Sequence, residues 1–526
     1  MYIEPNTVIK ILRNCPLDNS YDHTIFFTSA SAQQSYFSGK AKYTLDKQSY
    51  QRVKRGYMRV SVQAENLYDC NYLMFQNTSF GSKWFYAFIK SVEYVNNVTS
   101  EIEFEIDVMQ TWFFDYTFKK SFVEREHATN DAIGANTVPE RVELGDYVSD
   151  DFDGTRQLGN KSIVVAATFQ YFPESKEILD MPGTMYGGVY SGLCYNAFPA
   201  TTIGSAGVTE LIQEATKAGK DSGIVAIFML PTSMLVDAYG GTKSYEISKT
   251  KNISTLGSYK PRNNKLYTYP YNFLYVTNLQ GNSATYPYEY FSDSTCDFGL
   301  AGDCTPNPSC ILYPINYKGV AANYDEKLAL SGWPQCAYNT DAYKAWLAQN
   351  GASLATGALT SGISTYVGAG FGIASGMMLL NPVTSAIAVG SAAVGGAVSM
   401  FSTVANTIAT VYEHSIMPRQ AHGSTGSTTL AAVGILDFAF MHKHIRPEYA
   451  EIIDGYFDMY GYATNRVKIP NRNGRPHWNY VKVLGAVLVG SVPADDMKSI
   501  VRIYEKGITF WNNGSEVGDY SLDNSL

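Results

Sequence analysis

Apolar and polar positions alternate over much of the first 149 residues. Ile102-Glu103-Phe104-Glu105-Ile106-Asp107-Val108 sets apolar against acidic side chains with period two, which predicts a half-buried strand. Arg59-Val60-Ser61-Val62-Gln63-Ala64 alternates as well, and Lys83 to Ile89 is an aromatic strand after a Phe80-Gly81-Ser82 turn. Successive strands joined by short Asn/Gly/Ser turns predict a barrel or a curled antiparallel sheet. The pattern changes from 150 to 341. Ile163 to Ala167 and Ile224 to Leu230 are continuous apolar runs, as in strands buried on both faces, and Thr209 to Gly219 has helical spacing with Leu211, Ile212 and Ala215 on one side. This part reads as a mixed α/β domain, inserted in or lying outside the first fold. In the final part, 428–526, Leu484 to Val489 reads as β. Met497, Ile500, Val501 and Tyr504 recur at helical spacing behind Asp495-Asp496, Gly507 ends that helix, and Ile508 to Trp511 resumes as a strand.

One stretch fits neither period. Between Lys344 and Glu413 there is no Asp, Glu, Lys, Arg or His, in a chain that is 17% charged. Asn381-Pro382 divides it into two arms, Gly351 to Leu380 and Val383 to Tyr412, because proline cannot continue a helix and biases its predecessor away from one. Each arm is longer than the roughly 20 residues that cross a hydrocarbon core, so a helical hairpin is expected within 342–427. The arms are rich in Gly, Ala, Ser and Thr. Gly368, Gly372 and Gly376 form a small-residue ridge of the kind that lets membrane helices approach closely. The residues expected to act at a membrane are Gly351, these three glycines, Met377, Leu379, Leu380, Asn381 and Pro382 at the turn, then Val383, Ile387, Val394, Gly395, Gly396 and Phe401. The competing reading is a buried hairpin, or a plug with no membrane role.

Composition narrows the rest. The 526 residues exceed one simple core, and 40 Tyr with 26 Phe lean towards β structure. The low charge fits either a surface covered in an obligate oligomer or a large core. Net charge is −8 and no basic run exceeds pairs such as Lys119-Lys120, so any contact with DNA is expected to be weak. The seven cysteines match no zinc spacing. Cys296, Cys304, Cys310 and Cys336 fall in a Pro/Asn/Asp-rich region read as loop, where free thiols are expected over a local disulfide. Met1 to Leu12 contains Glu4 and Lys10 and no useful apolar core, so no signal peptide is expected and synthesis in a cytoplasm is.

No catalytic constellation stands out. P-loop, His-Glu-x-x-His and serine-elbow motifs are absent, and Gly370-x-Gly372-x-x-x-Gly376 lacks the acidic residue a dinucleotide site needs. His442-x-His444 has no further ligand at metal spacing, and Glu124-Arg125-Glu126-His127 reads as a salt-bridge cluster. No catalytic residue, metal or cofactor is expected.

Phe27-Thr28-Ser29, Met74-Phe75-Gln76-Asn77, Lys83-Trp84-Phe85-Tyr86-Ala87-Phe88, Gln110-Thr111-Trp112 and Arg125-Glu126-His127 resemble blocks of a known family. So do Tyr460-Gly461-Tyr462, Asn465-Arg466-Val467-Lys468, Asn479-Tyr480-Val481 and Asp519-Tyr520-Ser521 near the other end. The family is the tail knob, or distal tail tube, protein of small short-tailed phages of Gram-positive bacteria. The resemblance implies β-barrel-type tube domains in a homohexameric ring at the distal tip of the tail. It further implies contact with upper tail or connector proteins, and a lumen that passes viral DNA without sequence-specific binding. In that family a long hydrophobic loop plugs the tube and emerges to form a channel in the host cell membrane; by position and composition it maps onto 345–412. An acidic conduit suits that role, since a basic lumen would hold DNA. The expected fold is mainly β with α+β parts, divided into a 1–149 β tube domain, a 150–341 mixed domain, the 342–427 loop and a 428–526 α+β tube domain. The alternative function is a receptor- or cell-wall-binding tail component, with the Tyr/Asn-rich 150–340 region on sugar.

Overall fold

The computed structural model describes residues 6–48, 56–153, 158, 161–169, 185–186, 189–190, 194–199, 202–234, 245–302, 309–331, 333, 335–336 and 437–526. Most of the regular structure is strand. The chain forms two compact units: Met1–Gly145 with Ser258–Thr268 and Arg446–Leu526, and Asp146–Gly257 with Tyr269–Ile445.

In the first unit a six-stranded antiparallel sheet runs in the order Ala41–Gln48, Thr7–Arg13, Cys70–Gln76, Phe85–Asn96, Thr99–Ile106, Tyr57–Val60. The alternation read at 102–106 is what places Ser100, Ile102 and Phe104 inside, with Ile9, Ile11 and Leu73, while the intervening glutamates stay half-exposed. That strand stops at Ile106, short of the expected Val108. The Asp107 carboxylate accepts from the Gln110 amide (3.0 Å) and caps a short helix, Val108–Thr111. The strand expected through Ala64 likewise ends at Val60, and Ala64–Leu67 is a 3₁₀ turn.

A five-stranded sheet follows: His23–Ile25, Ile508–Trp511, Trp478–Leu484, Ser121–Glu126, Tyr462–Lys468. The helix Ala494–Lys506 buries Ile500, Ile503 and Tyr504 against it, with Asp495 and Asp496 in its first turn. Gly507 ends the helix at φ +99°, where a Cβ would meet the Tyr480 hydroxyl at 2.0 Å. Leu484–Val489 is not one strand. Gly485, at φ +61°, turns the chain between Trp478–Leu484 and Leu488–Gly490.

The second unit holds three larger antiparallel sheets around one core that includes Val164, Phe228, Leu274, Phe298, Leu312 and Phe440. Lys161–Ala167 is buried throughout, as its apolar run predicts. Ile224–Pro231 is not buried on both faces, because Val225 is exposed. The helix spans Thr202–Lys217, longer at its start than expected. Cys296 and Cys310 lie in strands, Thr295–Gly302 and Ser309–Tyr317, not in a loop. Both are buried free thiols, and burial pushes Cys296 up to about 12. Ala439–Ile445, placed by sequence with the C-terminal part, is an inner strand of the second unit, between Tyr147–Asp153 and Asn272–Thr277.

Candidate functional site

The residues expected at a membrane, Gly351 through Phe401, lie outside the described residues, as does the whole of 337–436. What the structure gives is the stem from which this segment leaves and to which it returns. On the outgoing side, Leu328–Ser331 pairs with Ser309–Tyr317, placing Leu328 opposite Leu312 and Leu330 opposite Cys310. Side chains from the 278–280 turn clamp it: the Asn278 amide donates to Ala329 O (2.8 Å) and the Gln280 amide to Ser331 O (2.6 Å). Trp333 is buried, and Gln335–Cys336 adds to the edge of the sheet at Ile227 and Phe228. On the returning side, the buried Asp437 accepts from the Leu158 amide (3.2 Å) and from its own neighbour, the Phe438 amide (2.7 Å). Phe438 and Phe440 then enter the core. Trp333 and Phe438 belong to the same hydrophobic cluster, so the two ends of the segment are rooted in one body of packed side chains.

Among the described residues, no helix is long and apolar enough to cross a membrane, and no group of three His, Cys, Asp or Glu side chains could hold a metal ion. His442 and His444 are engaged separately. Tyr288 shares a hydrogen bond with His442 Nδ1, while His444 Nε2 meets Asp150 (2.7 Å) and its Nδ1 meets Ile445 O (2.6 Å).

The Glu124–His127 block is an ion-pair cluster. Glu124 pairs with Lys482 (3.0 Å), Arg125 with Glu140, and Glu126 with Lys468. His127 is buried and carries its proton on Nε2: Nδ1 accepts from the Tyr480 amide (2.7 Å) and Nε2 donates to Asp458 O (3.0 Å). Burial, with Arg475 nearby, pushes its pKa down to about 3, so it is neutral.

Sequence reasoning missed a second polar cluster in the first unit. The excursion Ser258–Thr268 is held by four buried carboxylates, Asp131, Glu140, Asp454 and Asp458, the last accepting from the Asn263 side chain (2.8 Å). Asp454 accepts from the Arg262 amide (2.7 Å), the Asn263 amide (3.0 Å), the Asn263 side chain (2.8 Å) and the Tyr259 hydroxyl (2.8 Å). Asp131 accepts from the Asn264 amide (3.1 Å) and the Tyr462 hydroxyl (2.6 Å). Lys265 meets Glu140 at 2.6 Å with both side chains almost fully buried, and burial pulls the ammonium below its ordinary pKa while Glu140 pushes back. The signal available was polar residues without period, Asn263-Asn264 against Asp454 and Asp458, which no spacing rule connects. This arrangement fastens chain.

Comparison with known proteins agrees with the blocks read at both ends. The family described as Bacillus phage phi29, Tail knob protein gp9, C-terminal domain matches residues 238–525, more than half of the chain. The family described as Caudoviral major tail protein N-terminus matches residues 5–117. Tail knob protein gp9 of Bacillus phage phi29 is 27% identical over 99% of this chain and 98% of its own length, and that of Bacillus phage B103 is 26% identical over the same shares. Among solved structures, the tail knob protein gp12 of bacteriophage C1 superposes with a TM-score of 0.62 at 14% identity, covering 99% of both chains, which is a likeness of fold. With its N-terminal sheet, its C-terminal α+β part and its overall length all matched, the chain belongs to the phage tail knob family typified by the C-terminal domain of phi29 gp9.

Proposed function

We propose that this chain is the subunit of a homohexameric tube at the distal tip of a short phage tail, made in the host cytoplasm and plugged by its own 345–412 segment. On contact with the host the segment enters the cell membrane, and the segments of one ring form a channel for the genome. The partners in this reading are other copies of the chain, upper tail or connector proteins, the host membrane, and viral DNA in passage. No cofactor and no catalytic step are required.

The observation that carries the reading is a charge-free segment in a tail knob chain, with both its ends rooted in one core. A segment anchored at Trp333 and Phe438 can change environment without unravelling the strands that hold it, because each of those strands is paired with a strand outside the segment and sends side chains into the core. The wall-binding alternative rests on the Tyr-rich 150–340 region. Tyr286, Tyr288 and Tyr317 are buried in the core there, so much of that richness serves packing.

Deleting 351–412 tests the proposal. Native mass measurement is expected to find hexamers as in the parent, while leakage of dye from liposomes is abolished. Leakage retained by the deletion would overturn the pore.

A further inference from the structure

We propose that copies of this chain join head to tail through two complementary surfaces of the first unit. One is the tip of the Phe85–Asn96/Thr99–Ile106 hairpin; the other is an apolar row across the five-stranded sheet. The inference rests on the ring reading above and deepens it by naming the faces that meet.

The row follows from register. Val467 and Leu484 both lie directly opposite Phe122, on the two strands flanking Ser121–Glu126. Directly opposed residues share a face of the sheet, so the three side chains stand side by side. Val467 is 65% exposed, Leu484 45% and Phe122 38%, where a sheet facing only water would carry polar residues. Lys119 and Lys120 border the row in sequence, are exposed, and make no ion pair among the described residues. An apolar strip with an uncompensated cationic border fits an apolar partner with acidic residues.

The same chain carries such a partner. Cys70–Gln76 pairs with the hairpin only as far as Phe88, so from Ile89 to Asn96 the strand has its hairpin mate on one side and no strand on the other among the described residues. Tyr94 and Val98 at the tip are 61% and 68% exposed. Lys90 pairs with Glu105 and Arg59 with Glu101, which leaves Glu93 exposed and without an ion pair among the described residues. The tip and the row lie in different sheets, and both are exposed in a single copy, so neither covers the other there. A tip of one copy on the row of the next is a heterologous contact, the kind that closes into rings.

Full-length chains with Val98→Asp or Val467→Asp test this. Both positions are exposed, so each variant is expected to keep the parent's unfolding midpoint. Each alone is expected to lose the ring, with the assembled fraction at micromolar concentration falling at least roughly tenfold. Mixed, they are expected to form a one-to-one dimer, since the intact tip of one meets the intact row of the other. Rings from Val98→Asp alone, or no dimer on mixing, would overturn the pairing. A parent chain that forms no ring would instead overturn the hexamer reading. Should Val467→Asp keep its rings but lose binding to phosphatidylglycerol vesicles that the parent binds, the row belongs to a lipid surface and the proposal fails.

Discussion

At the scale of single residues, His127 shows how a motif that reads as acid–base chemistry becomes structure. It sits beside Glu126 in sequence, yet its ring is spent between the Tyr480 amide and Asp458 O, and its pKa is pushed from 6.5 down to about 3. In the unfolded chain the ring takes a proton near pH 6.5; in the folded chain it does not until about pH 3. The unfolded state therefore binds more protons across this window, so the stabilisation is full above pH 6.5 and is lost as pH falls towards 3, by up to roughly 1.4 kcal/mol per pH unit. His127→Gln removes that dependence. The variant is expected to be less stable than the parent at pH 7.5 by about 1–3 kcal/mol, the value of buried hydrogen bonds left unmade. Denaturant titrations should find the gap narrowing by pH 4.5; a gap constant with pH would mean that the folded ring is charged.

Elements differ in how far they can be read from sequence. The Thr99–Ile106 strand and the Ala494–Lys506 helix were legible because one buried face imposes its period on neighbouring residues. The Leu484–Val489 reading failed because apolar character alone does not separate a strand from an exposed turn, although Gly485 was the available sign. The excursion Ser258–Thr268 was not legible at all. Its partners Asp131, Glu140 and Asp454 are more than 100 residues away in sequence and share no spacing with it. Asp454 is its main anchor. Asp454→Ala leaves two backbone amides, the Tyr259 hydroxyl and one Asn263 amide hydrogen short of an acceptor, a loss of roughly 3–5 kcal/mol. Trypsin is expected to cut the variant after Arg262 and Lys265 under conditions where the parent stays whole. Equal resistance of the two proteins would show that packing alone holds the excursion.

For the molecule as a whole, the candidate site was legible as composition, and its stem only as structure. The membrane reading of 345–412 makes a prediction that a buried-core reading reverses. Gly372 stands mid-ridge between Gly368 and Gly376. Replacing it with leucine raises helix propensity by somewhat under 1 kcal/mol and makes the arm more apolar. Both changes favour entry into a bilayer, so binding to vesicles is expected to hold or rise. Close approach of neighbouring arms is what the leucine side chain obstructs, because the ridge works only while backbones can touch. Gly372→Leu is therefore expected to keep native-mass hexamers and vesicle binding while dye leakage falls several-fold. If leakage stays at the parent's level, the glycines are not an interhelical ridge. If hexamers and leakage are lost together, the segment serves as core of the assembled tube and the channel reading goes with it.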